Sequence, residues 1–276
     1  MSATADGVLV SAHRGGAGLR TALENTGEVV EAAIALGVDF VEFDVQRCRD
    51  GTLVVAHDAW VTRHTAEELA SIAPAVVRYD EVLDRLAGRC RAHVDLKASA
   101  ARGDGAVAAV AHAVERLGPT GFVVTTGSDR AVRAVRDWAD GRGLDLLVGL
   151  SIGRGVRGLP VREQLRILRE DLRPGRRLRA SGATVVAANH WLALLGVARV
   201  ARREGLQLLV WTVDGRAGLR WWLRPGRAWV VTTNHPGLAL SVRSARSARS
   251  ARSARVVVGR RGRRGRRVRS AGRMRP

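Results

Sequence analysis

Short apolar runs rich in β-branched residues recur along the chain at intervals that leave room for a helix between them. The runs are "VLVSAH" (8–13), "DFVEFDV" (39–45), "RAHVDLK" (91–97), "GFVVTT" (121–126), "DLLVGLS" (145–151), "ATVVAAN" (183–189), "LQLLVWTV" (206–213) and "AWVVTTN" (228–234). Segments such as "GEVVEAAIALG" (27–37), "GAVAAVAHAVERLG" (105–118) and "LGVARVARREG" (195–205) separate them with apolar residues at helical spacing. Continuous apolar strands alternating with amphipathic helices predict a parallel sheet buried on both faces. Eight such units predict an α/β fold, a (β/α)8 barrel forming a single domain, with a doubly wound sheet as the alternative. An additional run, "GTLVVAHD" (51–58), follows the second strand and stands outside the count of eight.

The pattern ends near Leu240. Residues 1–241 read as the barrel and residues 242–276 as an arginine-rich, low-complexity tail. "SARSARSARSAR" has a three-residue period and the residues after it lack the apolar content of a core, so the tail is expected to be disordered. Of 46 basic residues, 14 are arginines from Arg243 onward, where no acidic residue occurs; the net charge of +20 therefore reports mostly the tail, and the body is only mildly basic. A weak contact of the tail with polyanions or anionic membranes is one reading, a compositional extension without a partner the other. No specific protein partner is expected.

Only two cysteines occur, Cys48 and Cys90, without the spacing of a disulfide framework or a zinc site. Few residues precede the first run and no apolar stretch is long enough to span a bilayer, so a cytoplasmic soluble protein is expected.

Polar residues gather where the runs end. Glu42 and Asp44 are two apart in "VEFDV", which puts both on one face of a strand, roughly 6.7 Å apart. Two acids on one buried face repel unless a cation lies between them, and carboxylate oxygens suit one hard divalent ion, Mg2+ or Ca2+. Asp95 and Lys97 repeat the spacing in "HVDLK". Lys97 is the only lysine of the chain, a compact ammonium retained where arginine is otherwise universal, which suggests contact with a phosphoryl oxygen. His13 and Arg14 close the first strand and precede "GGAG", where glycines permit a sharp turn and close approach to a ligand. Arg14 has the fork to hold two phosphate oxygens. His57 ends "VVAHD" in the same manner, and Trp211 and Asn234 lie near the ends of late strands. In "LENTGEVVEAA", Asn25 or Thr26 reads as a helix cap, and Glu24 as a residue within reach of the metal site.

The order "HRGG…ENT…GVDFVEFDVQRCRDGTLVVAHD", followed by "HVDLK", "VWTVD" and "VVTTNHP", resembles the signature of the glycerophosphodiester phosphodiesterase family over roughly residues 8–240. The resemblance implies a barrel that hydrolyses glycerophosphodiesters to glycerol 3-phosphate and an alcohol with one divalent metal. It implies His13 and His57 as the acid/base pair and Arg14 and Lys97 at the phosphate. Glu42, Asp44 and Asp95 would be metal ligands, and Trp211 would line the glycerol side. Three positions depart from the pattern: Leu23 stands for the usual proline, Asp95 for glutamate, and Asn234 for aspartate. The alternatives are a lysophospholipase D-like or other phosphodiesterase on the same barrel, or a weak catalyst whose tail binds polyanions.

Overall fold

A computed structural model describes residues 7–153 and 158–248. Ten strands form: β1 (Leu9–Ala12), β2 (Phe40–Arg47), β3 (Leu53–Val55), β4 (Val77–Arg78), β5 (Arg91–Leu96), β6 (Phe122–Thr126), β7 (Leu147–Ile152), β8 (Val185–Asn189), β9 (Gln207–Trp211) and β10 (Val230–Thr233). Eight of them run parallel in the order β1-β10-β9-β8-β7-β6-β5-β2, and β1 pairs with β2 to close the barrel. The eight predicted runs are these eight strands. The additional run is β3, which pairs antiparallel with β2, and β4 pairs antiparallel with β3 outside the barrel.

The side-chain period of two divides the barrel into an outer and an inner core. Val41, Phe43 and Val45 of β2 point outward into the large core between strands and helices, with Val94, Val124, Leu150 and Val186 of the neighbouring strands. The alternate positions fill the interior. At the amino-terminal end Phe40, Val123, Val185, Ala187, Leu209 and Val230 form a small apolar plug, and the Arg91 guanidinium lies 4.2 Å over the Phe40 ring. One step further along the strands the interior becomes polar: Ser11, Glu42, His93, Thr125 and Thr232 are buried there. The parallel register sets Glu42 beside His93 and Asp44 beside Asp95. The plug therefore floors a polar cup that opens at the carboxyl ends of the strands, the end at which barrel enzymes carry their chemistry.

The expected tail is helical at its start. Residues 236–248 form one helix, and Arg243 ion-pairs with Asp39 at the amino-terminal end of β2. Residues 242–248 are thus anchored to the barrel by that ion pair, contrary to the disorder expected from composition. The remainder of the arginine-rich segment, 249–276, and with it the expected tail contact, lies outside the described residues. Among the described residues no helix is long and apolar enough to cross a membrane.

Candidate active site

A cavity of about 530 Å³ occupies the open end of the barrel, lined by His13, Arg14, Glu42, Asp44, His57 and, across it, Asp95, Lys97 and Trp211. Every residue singled out from the sequence as catalytic, phosphate-binding or metal-ligating is in that wall.

The acids are closest together. Glu42, Asp44 and Asp95 each offer an oxygen within 4.8 Å of the others. Lys97 Nζ lies 2.6 Å from Asp44 Oδ1 and 2.6 Å from Asp95 Oδ2. Arg14 Nε lies 3.0 Å from Asp44 Oδ2, and its Nη1 donates to Glu24 Oε2 at 2.6 Å. Burial disfavours the charge on Lys97, but Asp95 and Asp44 outweigh it and raise the ammonium pKa. Burial acts against the Asp44 carboxylate too, yet Lys97 and Arg14 hold it below its ordinary value. Glu42 is pushed the other way: burial, then the charges of Asp44 and Asp95, raise it well above the usual range. With Glu42 ionised, four carboxylates, those of Glu24, Glu42, Asp44 and Asp95, face two cations among the described residues, Arg14 and Lys97. The uncompensated charge of two matches one divalent ion, and the all-oxygen donor set is that of Mg2+ or Ca2+. The residues fit such an ion.

The loop after β1 folds to serve this cluster. Arg14 takes a left-handed conformation (φ 49°) that turns its backbone N–H to Glu42 Oε2 at 2.6 Å. Gly15 and Gly16 follow at positive φ, and a Cβ on either would strike Val29 at 2.4 Å or Pro236 at 2.5 Å. The close approach read from the glycines is made, but to a helix and a proline of the protein itself. Asn25 is not a helix cap. Buried at φ 64°, it donates from Nδ2 to Asp44 Oδ2 at 3.0 Å and accepts the Asp44 N–H at 3.1 Å. Thr26 stands at the cap position of helix Gly27–Leu36 without a side-chain capping bond and donates to the Leu23 carbonyl. Glu24 clamps Arg14 and is absent from the cavity wall.

The two histidines differ. His13 Nδ1 is 2.7 Å from Asn234 Oδ1. Asn234 in turn gives Nδ2–H to Asp214 Oδ2 and its backbone N–H to Asp214 Oδ1, each at 2.8 Å. A carboxylate only accepts, so the amide orientation is fixed, its oxygen faces His13, and the His13 proton sits on Nδ1. Nε2 is left with a lone pair, 3.9 Å from Glu42 Oε2. Burial lowers the His13 pKa, with Asn234 opposing and Arg14 assisting, so the ring is neutral near pH 7. His57 sits at the exposed rim with Nδ1 2.8 Å from Asp58 Oδ1.

Beneath the cup lies a second network that the sequence did not announce. Thr125 Oγ1 donates to Asp95 Oδ1 at 2.7 Å, so it accepts from His93 Nε2 at 3.1 Å. His93 Nδ1 is then the acceptor for Ser11 Oγ at 3.4 Å. Burial lowers His93 to about 4, in keeping with a neutral ring. The signal was present only as a histidine two residues before Asp95, on the same strand face.

The sequence model of the Glycerophosphoryl diester phosphodiesterase family matches residues 13–97. A lysophospholipase D of Mus musculus is 48% identical over 58 residues, 21% of this chain and 17% of that protein. A glycerophosphodiester phosphodiesterase of Caldanaerobacter subterraneus is 47% identical over 60 residues, 22% of this chain and 24% of its own. The aligned segments thus span less than a quarter of those relatives. A solved structure from Silicibacter pomeroyi, described as a putative glycerophosphoryl diester phosphodiesterase, has the same fold with a TM-score of 0.69 at 20% identity, covering 88% of this chain and 95% of that one. The chain therefore resembles the glycerophosphodiester phosphodiesterase family by the sequence signature in residues 13–97, which supplies the histidines, acids and cations of the cavity wall, and it shares with the solved structure the closed barrel that carries them.

Proposed function

We propose that the chain is a phosphoric diester hydrolase, a metal-dependent glycerophosphodiester phosphodiesterase that releases glycerol 3-phosphate and an alcohol. The observation that carries this reading is the convergence of two histidines, two cations and three carboxylates on one cavity. A phosphodiester anion resists a nucleophile, and cationic groups around its oxygens relieve that resistance. Arg14 and Lys97 are the fixed cations there. Glu42, Asp44 and Asp95 would hold one Mg2+ or Ca2+, which supplies further charge stabilisation when bound. His13, neutral and with Nε2 open, accepts the proton of the attacking hydroxyl; His57, held by Asp58 at the rim, returns one to the departing alkoxide. Trp211 forms an apolar wall for the glycerol carbons. The substrate is a small molecule, and the cytoplasm is the proposed location.

The test is hydrolysis of glycerophosphocholine, glycerophosphoethanolamine and a lysophospholipid side by side, with chelator and with Mg2+ or Ca2+ restored. Release of glycerol 3-phosphate that chelator abolishes is expected. His13→Ala and His57→Ala should each lower turnover by at least about 10²-fold. Full activity in chelator, or normal turnover in either variant, contradicts the corresponding assignment.

A further inference from the structure

The helices that follow β7, β8 and β9, neighbours in the barrel, carry a surface unlike the rest of the molecule. Helix Val161–Leu172 exposes Val161 (70%), Leu165 (60%) and Leu168 (43%) while burying Ile167. At 3.6 residues per turn the three exposed side chains fall within roughly 60° of arc, and Arg162, Arg166 and Arg169 occupy the adjoining sector, where Arg166 pairs with Glu163 and Glu170. An exposed apolar stripe with an arginine shoulder is the pattern of a helix that lies in a lipid–water interface. The turn Ala193–Val197 packs against this helix, and the segment leading through it exposes Trp191 (65%), Leu194 (48%) and Leu195 (69%).

Leu194 then borders a small cleft of about 160 Å³ shared with Trp221 and lined by Arg199, Arg202 and Arg227, with no acidic residue in its wall. Arg227 lies 3.9 Å over the Trp221 ring, and among the described residues none of the three arginines forms an ion pair. Apolar side chains beside unpaired guanidinium groups complement acyl chains beside phosphate headgroups. The surface also adjoins the catalytic mouth: Gly153 lines the main cavity, and a Cβ there would meet Asn189 at 2.9 Å and Leu192 at 3.1 Å, at the root of the Trp191 segment.

We propose that this face docks on an anionic lipid surface and presents the cavity to amphiphilic phosphodiesters, lysophospholipids in particular, held in that surface. The arginine-rich residues 249–276 are unsuited to cover it, because they carry the same charge as Arg199, Arg202 and Arg227 of the cleft. The proposal rests on the phosphodiesterase reading for its substrate, but not for its binding step.

The experiment uses the full chain with vesicles of phosphatidylcholine, with and without phosphatidylglycerol, at one fixed physiological ionic strength. Hydrogen exchange should slow in residues 161–172 and 190–195 only when phosphatidylglycerol is present. The variants Leu165→Ser with Leu195→Ser, and Arg199→Glu with Arg202→Glu, alter exposed side chains and should each weaken vesicle partitioning by about tenfold or more. Both should leave hydrolysis of soluble glycerophosphocholine unchanged and slow that of vesicle-borne lysophospholipid. Binding that persists in both variants, without protection of the two segments, assigns attachment to the terminal arginines and overturns the proposal. Concentration-dependent dimerisation that protects the same segments without lipid assigns the face to a second copy and overturns it equally. Vesicle binding as expected with no hydrolysis of any phosphodiester would leave the docking surface standing and remove the enzymatic reading.

Discussion

Asn234 meets His13 as an amide where the family pattern has a carboxylate, and Asp214 is what makes the amide serviceable. An asparagine can present either end, and only its oxygen stabilises the tautomer that leaves Nε2 free. Asp214 accepts both N–H groups of Asn234 and excludes the flipped orientation. Asp214→Asn removes that constraint. Turnover should fall by between about 10- and 10³-fold with KM nearly constant, since the error affects proton transfer and not substrate grip. Nitrogen NMR of the labelled imidazole should then report a mixture of His13 tautomers. Exchanging the two residues, Asp214→Asn with Asn234→Asp, restores a fixed acceptor at 234 and should recover most of the lost rate. A silent Asp214→Asn variant would show that His13 needs no such orientation. His93 gives a second prediction at this scale. Its folded pKa of about 4 lies below the unfolded 6.5, so within that window the unfolded chain holds a proton the folded chain refuses. Its contribution to stability is complete above about pH 6.5 and is lost as the pH falls towards 4, by an amount on the order of 3 kcal/mol. Denaturant titrations of the chelated protein across this range should show a shallower slope for His93→Gln than for the parent; identical slopes would place the titration elsewhere.

At the scale of elements, the junction between the first loop and helix Gly27–Leu36 does more than start a helix. Asn25 ties that loop to β2 through both the backbone and the carboxylate of Asp44. Asn25→Ala leaves two buried polar groups short of partners and places a Cβ residue without a local hydrogen bond at positive φ, so a loss of about 3 kcal/mol is expected. Asn25→Gly loses the same hydrogen bonds but not the backbone preference, and should be less damaging by about 1 kcal/mol. Equal losses on thermal or chemical unfolding would deny that the left-handed conformation matters. This junction also shows where sequence reading stopped. All eight barrel strands were legible, because each is a contiguous apolar run bounded by turn residues, and the alternation in "FVEFDV" put Glu42 and Asp44 on one shared face. Asn25 was read as a cap because a polar residue before a helix ordinarily is one; its partner lies 19 residues away on another strand. The pairs His13–Asn234 and His93–Thr125 span 221 and 32 residues, and separations of that kind leave no local signature. The helical start of the arginine-rich segment was missed for the same reason, since composition does not reveal that Arg243 reaches Asp39.

For the whole molecule, the charges that would hold an ion are also charges the fold must tolerate without one. Lys97 and Arg14 neutralise part of the acid cluster, and Glu42 is the member left most unfavourably placed: buried, next to two other carboxylates, and raised in pKa. The ion's binding and the barrel's stability are therefore linked through Glu42, and its removal should act with opposite signs in the two states. In chelator, Glu42→Gln replaces a carboxyl whose charged form is disfavoured by burial and by its acidic neighbours, while its amide oxygen can still accept the Arg14 N–H, so the variant should melt at or above the parent. With Mg2+ or Ca2+ at a hundred times the dissociation constant, the parent should gain about 2.7 kcal/mol. The variant, lacking one anionic ligand, should gain little at the same concentration. Thermal unfolding of both proteins under both conditions decides the matter. A Glu42→Gln protein less stable than the parent in chelator, yet stabilised as strongly by the ion, would mean that Glu42 serves the fold as a hydrogen-bond acceptor for the Arg14 loop and that the divalent ion is held by other groups.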